Sequence, residues 1–511
     1  MAINAIILLW VAYRLCRFVY SLQRFGFLAG YRPLFDPYSP PGNAIPTCWW
    51  NPGFLWPWIR RQTAYFNHEH EVVSMIPLLA GGPSYLLSSV EASRQLLGSE
   101  GKTQLIKSPE FTTVGLWGDS VASVSGEDWK RHRRSAAPSF NSTMLSLVTE
   151  ECQAVYNEMV ASEGWHDVGG ATSVHINRIM ARFTFVILSR CGFGIPASWK
   201  MQEDQSDSTR FEIALTTASE TFLARVLLPR WAYWLPVKRL HEIDAAWRTV
   251  TSLMGKFAEV RKADLADSGV DLRKKDVFTR LVLASDDGGK FALTTTEVTA
   301  NMLSLLFAGY ETTSSALVTT LTMLAIHQED QARVFSEIVE QLPAEGTVTN
   351  DSFKSLKFIS ACIQEAHRLI PVAGYLARDT LQDVVISVKR PRQDVIVIPK
   401  GSRVLVDQLS VLHDPHEYPD PDKYIPSRWL NVADQDVPMF GFGPRSCLGR
   451  KFATTEMICL IALFLRDWKV DIVLDEGDTY ERYHARLLET TTLRNSAFGV
   501  GDVSLKVTPR R

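Results

Sequence analysis

Cys447 lies in the segment of this chain that most clearly indicates a reactive side chain. The segment is FGFGPRSCLGR, residues 440–450. Three glycines surround the sulfur and let the backbone come close to it. Backbone N–H groups aimed at a thiol, together with the start of a predicted helix after Leu448, lower its pKa. The segment therefore predicts a protected thiolate ligand. The alternative, a tight turn around a buried cysteine, has no need of the flanking Arg445 and Phe440.

A second chemical group lies in FAGYETTSS, residues 307–315, inside a long apolar stretch that predicts a helix. Ala308 and Thr312 are four residues apart and share one helix face, and Gly309 leaves room for a ligand. The Thr312 hydroxyl can bond the carbonyl four residues back, and Glu311 can connect it to solvent protons. The pair indicates a proton relay. The alternative is a buried helix that uses small residues for packing.

Two further sets of charged residues follow helical spacing. Glu365 and Arg368 share a face of the apolar segment FISACIQEAHRLIP, which predicts a buried ion pair that must be fully satisfied. Trp129 and Arg133 share a face of WKRHRR at residues 129–134, and an arginine fork suits a carboxylate.

The cysteine segment matches at every fixed position the haem-binding loop FGxGxRxCxG of the cytochrome P450 family, and the chain resembles that family from about residue 35 to its end. The resemblance implies that Cys447 holds the iron of haem b as an axial thiolate. It also implies haem contacts from further residues, namely Phe440, Gly441, Ala308 and, for the propionates, Trp129, Arg133, Arg378 and Arg445. It implies a catalytic role for Thr312 and Glu311, and a structural triad of Glu365, Arg368 and Arg428 behind the cysteine loop.

The resemblance implies a haem-thiolate monooxygenase that oxidises a lipophilic small molecule with dioxygen. No GxGxxG follows a predicted strand, so the electrons of NADPH must arrive through another protein, NADPH-cytochrome P450 reductase. A basic patch of Lys130, Arg131, Arg134, Arg450 and Lys451 is predicted to dock it; the alternative is an ordinary solvated helix face.

Two other functions are compatible with a haem-thiolate loop. One is an isomerase or dehydratase that does not activate dioxygen, but such family members tend to lose the acid–threonine pair that Glu311 and Thr312 form here. The other is a non-catalytic haem sensor, which would need a signalling module that the sequence does not show.

The substrate class rests on analogy alone. By the family pattern, the pocket is lined by largely apolar stretches that include Phe111, Val114, Phe222, Leu305, Val372 and Phe498. We expect a lipophilic substrate, a terpenoid in fungal secondary metabolism.

The elements that must position these groups are mainly helical. The chain has 511 residues, 46% of them hydrophobic, and a net charge of -2 that gives no case for nucleic-acid binding. Seven scattered cysteines indicate a reducing compartment. Two short strands around Gly81-Gly82-Pro83 and further strands after Asp383 are predicted. The expected architecture is one large mainly α fold with small β-sheets.

The first thirty residues are predicted to be a membrane anchor. Ile3 to Leu22 could cross a bilayer if Arg14 and Arg17 reach the headgroups, and the basic residues would then keep the catalytic domain cytosolic, at the endoplasmic reticulum membrane. An interfacial or buried helix is the alternative. Residues 31–60 form a proline-rich linker, and residues 61–511 form the haem-thiolate catalytic domain.

Overall fold

A computed structural model of the chain describes residues 2–98, 104–108, 116–165, 170–200, 206–266, 276–286, 292–342, 349–433, 436–494 and 497–510. Helices dominate it and small sheets complete it, so the expected mainly α architecture is confirmed. Both predicted groups of strands are also present.

The helices follow one another along the chain as α1 (Ala2–Arg24), α2 (Pro40–Ala44), α3 (Trp56–Ile59), α4 (Ala64–Asn67), α5 (Val90–Gly98), α6 (Gly126–Ala136), α7 (Ser142–Glu163), α8 (Ile176–Ile187), α9 (Asp207–Glu220), α10 (Phe222–Leu227), α11 (Lys238–Ala266), α12 (Val277–Asp286), α13 (Thr295–Ile326), α14 (Gln328–Gln341), α15 (Asn350–Lys354), α16 (Lys357–Leu369), α17 (Gln408–Val411), α18 (Arg450–Asp467) and α19 (Tyr480–Thr490).

The strands are short and follow the same order, as β1 (Gly30–Tyr31), β2 (Val72–Met75), β3 (Ser84–Leu87), β4 (Leu105–Lys107), β5 (Thr172–His175), β6 (Tyr375–Thr380), β7 (Val384–Val388), β8 (Asp394–Ile398), β9 (Arg403–Asp407), β10 (Trp468–Ile472), β11 (Thr492–Arg494), β12 (Ala497–Gly499) and β13 (Ser504–Pro509).

Two compact units divide the chain, and their boundaries cross the sequence several times. The first unit comprises Met1–Phe111, Ala373–Lys423 and Phe440–Ser446; the second comprises Thr112–Val372, Tyr424–Met439 and Cys447–Arg511. The predicted boundaries at residues 30 and 60 stay predictions.

The first unit is built on a six-stranded mixed sheet in the order β1-β2-β3-β9-β6-β4. The hairpin of β2 and β3 pairs Val73 with Leu86, and β3 runs parallel to β9. Its core joins sheet residues such as Val73 and Leu405 to Trp56 and Tyr65, and Trp56 shows that the proline-rich segment packs as part of this unit.

The second unit is centred on α13, which packs against α8, α11 and α16. A capping box starts this 32-residue helix: the Thr294 hydroxyl accepts from the Glu297 N–H, and the Glu297 carboxylate accepts from the Thr294 N–H. Two small antiparallel sheets, β10-β13-β5 and β11-β12, complete the unit.

A buried carboxylate organises the end of α16. Glu365 is fully buried and accepts hydrogen bonds from the Arg368 guanidinium at 2.9 and 3.0 Å and from Arg428 Nε at 3.4 Å. The Ile425 N–H and the Trp429 indole N–H also donate to it, at 2.9 and 2.8 Å. The structure thus brings Glu365, Arg368 and Arg428 together.

A second buried carboxylate, Asp407, lies at the end of β9 in the first unit. It accepts from the Tyr65 hydroxyl at 3.0 Å and from the Ser410 N–H and hydroxyl at 3.2 and 2.9 Å. Burial is the largest influence and raises the pKa of Asp407 to about 6, because these neutral donors offset it only in part.

Glu365→Gln should lower the free energy of unfolding by about 3–5 kcal/mol, because it removes the negative charge that pairs with the buried Arg368 cation. Urea unfolding followed by far-ultraviolet circular dichroism measures the loss. Asp351→Asn is the matched control, since Asp351 and Lys354 form an ion pair at the same spacing on an exposed helix surface. Equal effects of the two changes would contradict a dominant role for the buried pair.

Asp407→Asn should change how stability depends on pH. A carboxyl whose folded pKa is raised binds protons more readily in the folded state, so its contribution is present at low pH and is lost as pH rises from about 4 to about 6. Between about pH 5 and about pH 7.5 the free energy of unfolding of the wild type should fall by about 1 kcal/mol relative to that of the variant.

Urea titrations of both proteins at the two pH values measure this difference. Asp394→Asn, at an exposed aspartate of the β7–β8 hairpin, is the control and should follow the wild type. Parallel pH profiles for wild type and Asp407→Asn would contradict the raised pKa.

Candidate active site

The backbone conformation of the cysteine loop requires glycine at two positions, and the sequence has glycine at both. Gly441 and Gly443 have φ values of 72° and 73°, in the left-handed region that favours glycine. A Cβ at Gly443 would lie 2.4 Å from the Leu97 carbonyl oxygen, so no larger residue fits that position. These two glycines and Phe440 belong to the first unit, whereas Cys447 belongs to the second.

The Cys447 thiol is subject to opposing influences. Burial raises its pKa, whereas the Gly449 N–H and the positive charges of Arg133 and Arg450 lower it. Burial is the largest of these influences, so the pKa of Cys447 is raised overall, in contrast to the lowered pKa expected from the sequence. The surrounding groups are those that stabilise a thiolate once a cation or metal compensates for burial.

Helix α6 brings the predicted tryptophan–arginine pair together. The Arg133 guanidinium lies 5.7 Å from the centre of the Trp129 ring. Burial lowers the pKa of Arg133, and the nearby Cys447 raises it in part. The second unit therefore places a partly buried guanidinium beside the sulfur, as the binding of a carboxylate would require.

The two other predicted carboxylate-binding arginines belong to the first unit. Arg378 lies in β6, is buried, and donates to the Ala377 carbonyl at 2.9 Å. Arg445 is half-buried in the cysteine loop.

The middle of α13 has the local geometry that the sequence indicates. Thr312 Oγ1 donates to the Ala308 carbonyl at 2.7 Å, and Thr313 Oγ1 donates to the Gly309 carbonyl at 2.8 Å. A Cβ at Gly309 would lie 2.7 Å from Leu188, so glycine lets a neighbouring helical turn pack closely. Ala308 is exposed although the adjacent Phe307 is buried, so the side of α13 that carries Ala308 is accessible.

Glu311 leaves α13 in a different direction from Thr312, because successive helical residues are about 100° apart. Its buried carboxylate accepts a hydrogen bond from the Ser219 hydroxyl of α9. Both residues line a cavity of about 520 Å³ that also contacts Ser314, Ser315 and Glu220. This volume holds several water molecules, so water can reach the acid.

A polar cluster joins α6 to the start of α13. Arg131 donates to the Glu297 carboxylate, with one contact at 3.0 Å, and this hydrogen bond is the largest cause that lowers the pKa of Glu297 to about 2. The buried His132 ring lies 2.7 Å from Asn301 Nδ2, and Asn301 Oδ1 accepts from the Val121 N–H at 2.8 Å.

The prediction that Arg131 belongs to a free basic patch is therefore wrong, because Glu297 pairs with it. Lys130 pairs with Glu127 at 2.6 Å on the surface, and Arg134 and Lys451 are exposed. Sequence reasoning also missed Ser219, His132 and Asn301. Their partners lie 92 to 180 residues away, and no local signal indicates them.

Aromatic rings gather beside this region of α13. Trp117 stacks on Trp247 with ring centres 5.1 Å apart, and Phe307 lies 5.1 Å from Trp117 and 4.9 Å from Phe222. Of the predicted pocket residues, Phe222, Val372 and Phe498 are buried and Leu305 is half-buried. Phe111 and Val114 lie outside the described residues.

The residues present fit a haem group. Cys447 offers one soft sulfur with stabilising charges, and Arg133 offers a carboxylate partner beside it. The small side chain of Ala308 is exposed beside the buried Phe307, as the approach of a flat group to α13 would require.

Comparison with known proteins identifies the family. The cytochrome P450 family model matches residues 56–490 as one domain. A cytochrome P450 monooxygenase of Postia placenta is 23% identical over 487 residues, which cover 93% of this chain and 90% of that protein. Cytochrome P450 3A41 of Mus musculus is 26% identical over 386 residues, 73% of this chain and 74% of the relative.

The match covers most of the chain, and the expected cofactor follows from it. Family members bind haem through a cysteine thiolate and use NADPH electrons that a reductase supplies. The chain belongs to the cytochrome P450 family of haem-thiolate monooxygenases.

Proposed function

We propose that this enzyme hydroxylates a lipophilic small molecule at the endoplasmic reticulum membrane, with electrons from NADPH-cytochrome P450 reductase. The observation that carries the proposal is the arrangement on α13. The Thr312 hydroxyl bonds a carbonyl beside exposed Ala308, and the adjacent Glu311 borders a cavity that can hold water.

Cys447 would hold the haem iron through its sulfur, and the residues that would hold the macrocycle and its carboxylates follow the family pattern: Trp129, Arg133, Arg378, Phe440, Gly441 and Arg445. Bound haem supplies the activation of dioxygen. The protein would contribute the Cys447 sulfur, with the positive charges of Arg133 and Arg450 near it, and the proton-bearing hydroxyl of Thr312.

The proton route is proposed to run from the cavity to Glu311 and then through water to Thr312. Glu311 accepts a hydrogen bond from the neutral Ser219 hydroxyl and borders the cavity, and a carboxylate in contact with water can take up and release a proton. Thr312 Oγ1 can pass its proton onward and recover one from water, because it keeps the Ala308 carbonyl as an alternative acceptor.

The arrangement of Glu311 and Thr312 also favours the monooxygenase over an isomerase or dehydratase and over a haem sensor. An isomerase or dehydratase needs no external protons for oxygen cleavage, so a cavity beside a buried acid would serve no purpose in it. A haem sensor would need neither the buried acid nor the threonine hydroxyl.

The electron donor is proposed to dock on a basic surface that includes Lys130, Arg134, Arg450 and Lys451. Arg131 is left out because Glu297 engages it. An acidic partner would be steered to such a surface by long-range attraction.

Thr312→Ala should uncouple electron use from product formation, because the hydroxyl that delivers protons is lost. We expect product per NADPH to fall by about tenfold or more, with hydrogen peroxide released in its place. NADPH consumption, peroxide and product are measured together in the reconstituted enzyme.

Thr313→Ala is the matched control, since Thr313 makes the same hydrogen bond one residue further along α13. It should leave the ratio of product to NADPH nearly unchanged. Product formation without NADPH, unaffected by Thr312→Ala, would instead support the isomerase.

The terpenoid class is tested by titrating the ferric enzyme with terpene hydrocarbons, terpenoid alcohols and fatty acids. The aromatic cluster of Trp117, Phe222, Trp247 and Phe307 supports an apolar ligand. We expect a saturable low-spin to high-spin change of the Soret band with terpenoids. A spin-state change with fatty acids alone would overturn the terpenoid assignment and would still support haem binding.

A further inference from the structure

The Asn301 amide of α13 joins three parts of the second unit. Its Oδ1 accepts from the Val121 N–H at 2.8 Å, and its Nδ2 donates to the Glu297 carbonyl at 2.7 Å and lies 2.7 Å from His132 Nδ1. Asn301 and His132 are both fully buried. One amide therefore connects α13 to α6 and to residues 118–124, which precede α6 and are called the turn segment below.

These contacts fix the protonation state of the His132 ring. The Val121 N–H can donate only to the amide oxygen, and the Glu297 carbonyl can accept only from the amide nitrogen, so the amide cannot be turned over. The second hydrogen of the amide nitrogen then points at His132 Nδ1, which must be an acceptor without a proton. His132 is therefore neutral, with its proton on Nε2, 3.3 Å from Glu297 Oε1.

The turn segment is tied to α13 at a second point. Ser304, which lies one helical turn beyond the asparagine, donates through Oγ to Ser120 Oγ at 3.0 Å. Within the segment, the Ser123 hydroxyl donates to the Gly118 carbonyl at 3.1 Å and accepts from the Ser120 N–H at 2.9 Å. Gly118 has a φ of 110°, a conformation that favours glycine. The segment is therefore a defined turn that side-chain hydrogen bonds hold in shape.

Trp117 directly precedes the turn segment and reaches the aromatic cluster. Its ring centre lies 5.1 Å from that of Trp247, on which it stacks, and 5.1 Å from that of Phe307. This cluster is proposed above to receive the apolar part of the ligand. The position of Trp117 depends on the turn segment, and the turn segment is held by Asn301 and Ser304.

We propose that Asn301 and His132 are positioning residues that set which apolar ligands this enzyme accepts. Asn301 holds the turn segment against α13, and the neutral ring of His132 keeps the Asn301 amide in the orientation that this contact requires. Both side chains are fully buried, so they act through Trp117 rather than by touching the ligand. The inference rests on the proposed apolar ligand site and adds the residues that shape it.

The alternative is that these buried polar groups only stabilise the fold. Buried polar groups are paired wherever they occur, so the pairing alone does not distinguish the two roles. The destination of the hydrogen bonds favours positioning. The Asn301 oxygen and the Ser304 hydroxyl both bind a segment that has neither helix nor strand, and such segments keep one conformation only through contacts of this kind.

Hydrogen exchange of the haem-loaded enzyme, followed by mass spectrometry, tests whether Asn301 holds the turn segment. Asn301→Ala removes the acceptor of the Val121 N–H, so amides of the turn segment should exchange about tenfold faster or more. Thr299→Ala is the matched control, because the Thr299 hydroxyl donates to the Thr295 carbonyl of the same helix, and it should leave this exchange unchanged. Unchanged exchange in Asn301→Ala would overturn the proposal.

Ligand binding tests the effect on selectivity, with imidazole and phenylimidazole as probes. Both bind haem iron through nitrogen, and only phenylimidazole brings an additional apolar ring to the aromatic cluster. Asn301→Ala should weaken phenylimidazole by about tenfold and imidazole by less than about twofold, measured from the Soret band. Each dissociation constant reports only the molecules that hold haem, so partial loss of folded protein does not change it.

Equal weakening of the two probes, or of neither, in a protein whose wild type prefers phenylimidazole would overturn the positioning role. Equal affinities of the wild type for the two probes would overturn the proposed ligand site itself, and this inference with it. The wild-type titration thus separates a failure of the proposed function from a failure of the inference.

Two substitutions of His132 separate the roles of its ring nitrogens. His132→Asn places an amide oxygen near the position of Nδ1 and should keep phenylimidazole affinity within about twofold of the wild type. His132→Gln places its amide near the position of Nε2, so it loses the acceptor for Asn301 and should resemble Asn301→Ala. The reverse order, or equal affinities in the two variants, would overturn the role of His132.

Discussion

A sulfur that must carry a negative charge inside the protein is the constraint on which the proposed chemistry depends. Burial is the largest influence and raises the pKa of Cys447, whereas the Gly449 N–H and the charges of Arg133 and Arg450 oppose it. Arg133 is itself partly buried, and the Cys447 charge raises its pKa in turn. Each charge thus reduces the cost of burying the other, and a haem carboxylate beside Arg133 would compete for the same guanidinium.

Buried acids elsewhere in the chain show that donors, rather than burial, decide the role of a carboxyl. Glu365 receives guanidinium and N–H donors and serves as the fixed centre of an ion cluster. Asp407 receives only neutral donors, so its pKa is raised to about 6. Glu456 in α18 is buried with one oxygen that has no hydrogen-bond partner, and burial raises its pKa well above the usual range.

The sequence could predict the groups whose chemistry is local. Thr312 and Ala308 meet because a helix places residues four apart in contact, and Glu365 meets Arg368 because residues three apart share the same helix face. The mainly helical architecture follows from apolar periodicity. The engagement of Arg131 by Glu297 could not be predicted, because it depends on how α6 packs against the start of α13, 166 residues away. Such contacts depend on how distant helices pack in the folded protein, and the local spacing of residues does not predict them.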